Sequence, residues 1–320
     1  MKTHLRTFCD VLGVCNMASF TNKTIQVVMA MAEGVFQNGA NQITVEGLPT
    51  SVDIQKQGGD ERPSCTVTIG NLNIDVVKQL TTLSFRPLQR FKNQITVNAG
   101  ELGKQLQTVF VGDFENAYGE FQNVPTMNLM VKAISAQHGA LMATPATSVD
   151  GTEQVSKLME QWAVEAGYTL ENNGVNASVR NTVYRGSPVE KAQTLARDVG
   201  IDLIIDDGKF KISPMDKPMG GNAVLVDAKH GLLGYPQFSN DGISFNMIFD
   251  PNLKIGGLVQ IKSVVPRASG IWKVTKISTK LEAYIPSGGA WESSVSATWV
   301  QEESNDAGEE QPTGSSTGNS

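Results

Sequence analysis

With 320 residues, 40% of them hydrophobic, the chain can bury sizeable cores, and at roughly 100–200 residues per domain it should hold two or three domains. Its net charge of −6 and the lack of any basic face speak against a protein that grips DNA phosphates. Cys9, Cys15 and Cys65 form no CxxC spacing, and His4, His138 and His230 form no HExxH pattern, which speaks against a disulfide framework and a transition-metal enzyme.

Residues 1–23 read as an arm. Lys2, His4 and Arg6 precede Val11 to Val14, but Asp10 and Asn16 bracket an apolar run shorter than a signal peptide needs. No stretch approaches the ~18 apolar residues of a transmembrane helix, so none is expected. Residues 24–144 read as a β domain. Strands are expected over Thr24–Met29, Ile43–Leu48, Ser51–Lys56, Thr66–Ile69 and Gln94–Ala99, with a longer pair at 107–122 and 126–134. Val52 with Ile54, and Val67 with Ile69, show the period-2 mark of a half-buried strand. One helix interrupts the series, capped by Asn73, with Ile74, Val77 and Leu80 on one stripe. Many strands and one short helix predict a barrel or sandwich.

Residues 145–215 read as a small α+β domain built from a repeat of helix plus hairpin. Asp150 or Thr152 caps the first helix, whose stripe is Val155, Leu158, Met159, Trp162 and Ala166, and Gly167 ends it. A hairpin turning at Asn172-Asn173-Gly174 follows. Ser187 caps the second helix, Pro188 opens it and Gly200 ends it. Asp206-Asp207-Gly208 then turns the second hairpin. After a linker at Pro214–Gly221, residues 216–300 return to strands at Ala223–Val226, Gly242–Ile248, Leu258–Ser263, Gly270–Ser278 and Ser293–Trp299, again a small barrel. Residues 301–320 carry Glu, Asp, Gly, Ser and Thr and should be disordered.

Local phrases add to this order of domains. Ile43 to Lys56, Pro63 to Leu72, Leu80 to Leu88, Val109 to Phe114, Leu170 to Val175, Ile204 to Gly208, Gly231 to Pro236, Phe249 to Gly257 and Gly288 to Trp291 together resemble the baseplate central hub proteins of contractile-tailed phages. The resemblance covers about residues 24–300. It implies a mainly β protein with a small α+β insert and two tail-tube-like β-barrels in one chain. It further implies a homotrimer whose six barrels mimic a sixfold ring. Such a trimer would join the hexameric tail tube, or tube-initiator proteins, to the trimeric central spike, with the insert touching other baseplate proteins. Genomic DNA would pass through its channel without specific binding. The place of such a protein is the virion tail baseplate, assembled in the host bacterial cytoplasm. The alternatives are the hub of a phage-derived contractile bacteriocin, a baseplate cell-wall or polysaccharide hydrolase, and a glycan-binding module.

No catalytic, cofactor-binding or metal residue is expected. Asp206 and Asp207 look like a carboxylate pair, but neighbours at a hairpin tip point apart, whereas acid–base work needs carboxyls converging across a cleft. Asp113 and Glu115 share a strand face by parity. His138 and His230 lack a GxSxG elbow for nucleophilic catalysis. Trp162 reads as core; Trp272, Trp291 and Trp299 read as packing residues, with a sugar-stacking platform as the alternative. The Gly-Gly pairs at 58, 220, 256 and 288 sit at turns and cradle no phosphate. Arg86, Arg90 and Lys92 read as a solvated loop or a neighbour contact rather than a DNA path, and the stretch from Glu302 as a free end rather than a dock for a basic partner.

Overall fold

The structure is a computed structural model, and it describes residues 22–32, 35–36, 39–59, 61–84, 93–121, 127–215, 217–239, 242–286 and 288–300. The expected arm up to residue 21, the acidic tail, and Arg86, Arg90 and Lys92 lie outside the described residues.

The chain opens with β1 (Lys23–Ala30), β2 (Gln42–Glu46), β3 (Thr50–Gln57), β4 (Ser64–Gly70), α1 (Ile74–Ser84), β5 (Gln94–Glu101), β6 (Gln107–Glu120) and β7 (Asn128–Ile134). Alternation decides which side chains go in: Val27 and Met29 on β1, Val52 and Ile54 on β3, Val67 and Ile69 on β4, Ile95 and Val97 on β5, Leu129 and Val131 on β7. All of them pack with Phe110 into one core. Asn73 starts α1 as expected, its side-chain oxygen accepting the Asp75 N–H at 2.9 Å. Val77 and Leu80 of α1 close the core.

The middle section runs α2 (Gln137–Leu141), β8 (Thr147–Gln154), α3 (Val155–Ala166), β9 (Thr169–Asn172), β10 (Ser178–Tyr184), α4 (Pro188–Val199), β11 (Ile201–Asp206) and β12 (Lys209–Pro214). The second helix has the caps its sequence announces. Ser187 and Glu190 form a reciprocal capping box, Pro188 opens the helix, and Gly200 ends it in the left-handed region. The first helix starts later than expected. Asp150 and Thr152 do not cap it; both belong to β8, which pairs with β10. The repeat of helix plus hairpin also holds only once. β11 and β12 form a hairpin, but β9 pairs in parallel with β12 instead of turning back on β10. The Asn172 side chain is the local cause. Its oxygen accepts the Val175 N–H at 2.7 Å and its amide donates to the Val175 carbonyl at 3.0 Å, steering the chain out of the sheet. Trp162, Phe210, Leu195 and Met159 fill a second core.

The last section holds β13 (Val224–Val226), β14 (Leu232–Ser239), β15 (Gly242–Ile248), β16 (Leu258–Ile261), the 3₁₀ turn η1 (Pro266–Ala268), β17 (Gly270–Ala283) and β18 (Trp291–Trp299). Phe245, Met247, Val259, Trp272, Val274 and Val295 form a third core. β14 has no counterpart among the expected strands. It is an edge strand with a slip in register: Leu233 faces Asn246, while Gln237 faces Ser244, so Gly234, Tyr235 and Pro236 bulge out of the ladder. The bulge turns Tyr235 into solvent, where 69% of it is exposed.

Two separate barrels were expected; among the described residues the hydrogen bonding gives one open sheet of 13 strands over the first and third cores. Its order is β14-β15-β18-β17-β3-β4-β7-β6-β5-β1-β2, with β16 also on β17 and β13 on β16. The reason lies in β3 and β17. A first ring would close if β2 met the open edge of β3, but residues 276–283 of β17 occupy that edge. β17 is long enough to serve both halves: it pairs with β16 at its start, with β3 along its second half, and with β18 on its other side. Its Leu281 and Ala283 are buried in the first core.

Leu281→Ala should therefore destabilise the first core by about 2–5 kcal/mol, the usual cost of a large-to-small core change. Urea denaturation followed by tryptophan fluorescence measures this; an unchanged midpoint would show that β17 does not support that core.

Candidate functional site at the junction of the three cores

The same parity that buries Val52 and Ile54 also points Lys56 inward. An ammonium group on an inward face must find a counter-charge or lose its proton. It finds one on the β11–β12 hairpin. Lys56 Nζ donates to both carboxylate oxygens of Asp206, at 2.7 and 2.8 Å, and Asp206 is fully buried. Asp207 turns the hairpin with a left-handed φ of 52°, and Gly208 follows at 75°. That turn aims the Asp207 carboxylate at a second group of lysines. Lys254, between β15 and β16, donates at 2.9 Å; Lys56 lies 3.6 Å and Lys211 3.8 Å away. At the other end of β11, Asp202 holds Lys273 of β17 at 2.5 Å, and Lys273 also donates to the Met215 and Lys217 carbonyls, both at 2.9 Å. The cluster thus joins β3, the hairpin of the middle section, and β17 with its neighbouring loop.

Burial alone would push Lys56 down, but attraction from Asp206 and Asp207 outweighs it and holds the amine above its ordinary value. Burial likewise would raise Asp207; Lys56, Lys254 and Lys211 overcome that and hold its carboxyl low. Every charge in the cluster faces an opposite one. Such an arrangement fixes the geometry of the joint.

The other sequence candidates are scattered. Asp113 and Glu115 do not share a face, because Glu115 is the extra residue of a bulge between Phe114 and Asn116. Asp113 is buried and accepts the His138 N–H at 2.8 Å at the start of α2; Glu115 is exposed. His230 meets Asp227 at 2.7 Å in a surface turn. Trp162 is core, as expected, its indole N–H donating to the Thr147 hydroxyl at 3.2 Å. Trp272 and Trp299 meet edge to face at 4.9 Å at one end of β18, whereas Trp291 packs on Phe249 at the other end. The three do not form one platform. The Gly-Gly pairs all fall in connections, none directly before a helix. Cys65 is buried and its thiol pushed up by that burial. Among the described residues no group of three His, Cys, Asp or Glu is placed to hold a metal, and no helix is long and apolar enough to cross a membrane.

Sequence reasoning took Asp206 and Asp207 for a turn, which they form, and missed that they are also the joint. The signal was present in β3: a lysine at the next inward position after Val52 and Ile54.

Comparison with known proteins places these features in context. Residues 24–283 match the profile of the family described as "Baseplate hub gp41". No curated protein sequence matches the chain. The fold is similar to the 43 kDa tail protein of prophage MuSo2 from Shewanella oneidensis, with a TM-score of 0.57 at 11% identity over 85% of this chain and 96% of that one. It is similar to a tail protein from Neisseria meningitidis MC58, with a TM-score of 0.57 at 10% identity over 85% and 96%. It is also similar to the E. coli c3393 protein, a type VI secretion component described as structurally similar to the T4 tail proteins gp27 and gp5, with a TM-score of 0.55 at 10% identity over 80% and 74%.

Lys56→Met should cost about 3–5 kcal/mol, because it leaves Asp206 buried without a partner. Lys56→Met combined with Asp206→Leu should recover most of the loss, since an apolar pair of similar size needs no compensation. Urea midpoints of the two variants decide this. A second expectation concerns pH. The depressed Asp207 contributes stability that is present above its ordinary value of 3.8 and is lost as pH falls through its lower folded value. The raised Lys56 contributes stability that is complete below 10.5 and is lost as pH rises past its higher folded value. Asp207→Asn should therefore flatten the acid side of the stability–pH curve relative to the parent, and Lys56→Met the alkaline side; parallel curves would contradict the assignment.

Proposed function

The chain belongs to the baseplate hub gp41 family, and on that premise we propose that it is a structural, non-enzymatic hub of a contractile phage tail. The observation that carries this reading is the shape of the sheet: two cores on one continuous sheet, held at a fixed relation by β17 and the ion cluster. In this reading residues 24–144 and 216–300 are two tube-like β units in one chain. The insert at 145–215 lies outside them. Three chains in a closed ring then present six such units, which matches a threefold partner to a sixfold one. The hexameric tail tube or its initiator proteins seat on one face, the trimeric central spike on the other, and other baseplate proteins meet the insert. The ring encloses the DNA channel, and a net charge of −6 suits a wall that lets a polyanion slide past. No residue is assigned a catalytic, cofactor or metal role. Assembly takes place in the host cytoplasm and the product resides in the virion.

The test is assembly. The purified full chain, alone and with its spike and tube partners, should form a three-copy ring with a near-sixfold inner outline, seen by light scattering and electron microscopy. A chain that stays monomeric with both partners present would overturn the ring.

A further inference from the structure

β17 changes partners across two residues, Val274, which still bonds Gly256 and Gly257, and Thr275, which meets Gly58. Residues 270–273 bond to β16 on the same side where residues 276–283 bond to β3. Thr275 is the extra residue between these stretches: across to β18, Val274 faces Ala297 and Lys276 faces Ser296. A bulge interrupts the ladder and lets a strand bend. The backbone contact there is correspondingly long, the Gly58 N–H reaching the Thr275 carbonyl at 3.3 Å.

β11 lies across this point. Asp202 holds Lys273, before the bulge; Asp206 holds Lys56, which sits opposite Ile277, after it. The spacing agrees. Asp202 and Asp206 are four positions apart on β11, about 13 Å of extended strand, and Lys273 and Ile277 are four positions apart on the bulged β17. Between the two fastenings, Ile204 is buried in the third core. An open cleft of about 420 Å³ borders the same place, lined by Gln57, Gly58, Asp202, Lys273, Thr275 and Lys276, so there is room for a bend.

We propose that the Thr275 bulge is a hinge between the two β units and that β11 is a splint locking it, fastened by Asp202–Lys273 at one end and Asp206–Lys56 at the other. The middle section is then the part that sets the angle between the units, and a force that lifts its hairpin releases that angle. This stands on the geometry of a single chain and does not require a ring.

Amide hydrogen exchange on the full chain tests it. Lys273 keeps its bonds to the Met215 and Lys217 carbonyls, so Asp202→Asn loosens one end while the buried ammonium stays hydrogen-bonded. In that variant the amides of residues 56–58 and 274–277 should exchange at least about tenfold faster, while Val131 and Val295, deep in the two cores, keep the parent's protection. Should Asp202→Asn fail to fold, Lys273→Met unfastens the same end from the other side and is read in the same way. Unchanged exchange at 274–277, or exchange that rises equally at Val131 and Val295, overturns the hinge.

Discussion

A strand cannot hydrogen-bond on more than two edges, and β17 spends both of its edges on holding the molecule together. One side carries β18 along its length; the other is divided between β16 and β3. Because β3 is thereby paired on both sides, β2 finds no free edge on it to close a ring, and because β17 continues past its own half, Leu281 and Ala283 become core residues of the other. Neither half is a self-contained object that could be cut away at a linker. The hydrophobic cores supply most of the driving force, but they are indifferent to small rotations of one half against the other. Directional groups are needed for that, and the buried lysine–aspartate contacts provide them. Their net worth as stabilisers is small after desolvation, and under the proposed splint their value lies in fixing the arrangement.

Much of this was readable in the residues. Period-2 alternation located β3, β4, β5 and β18, because each has one face against a core and the other facing out. Asn73, Ser187 with Pro188, and Gly200 announced helix ends, since caps act within a few residues of themselves. What was not readable depends on contacts far along the chain. Whether the strand at Thr169 pairs with its neighbour or with one 40 residues on is decided by tertiary packing, and alternation carries no information on that choice. β8 was hidden because Asp150, Gly151 and Thr152 look like a helix start, and only their pairing with β10 makes them a strand. β14 was hidden because its bulge breaks the alternation that would have revealed it.

The candidate site shows the same division. That Asp206-Asp207-Gly208 turns a hairpin is a local property, and it was plain. That the turn delivers two carboxylates to lysines some 50 to 150 residues away is not. Lys56 itself was the available clue, an inward-facing amine on a strand that otherwise alternates cleanly. The tryptophans illustrate the opposite case: a shared platform was the alternative reading for Trp272, Trp291 and Trp299, and the length of β18 keeps Trp291 apart from the other two.

The bulged edge strand β14 also bears on how separate copies of this chain can meet. Among the described residues its outer side is an unpaired strand rim, the kind of surface on which sheets of separate chains zip together without limit. Pro236 offers no N–H to such a ladder, and the excursion at Gly234–Pro236 breaks the straight run a newcomer strand would need. Two such rims brought together are thus kept from growing into an endless ribbon.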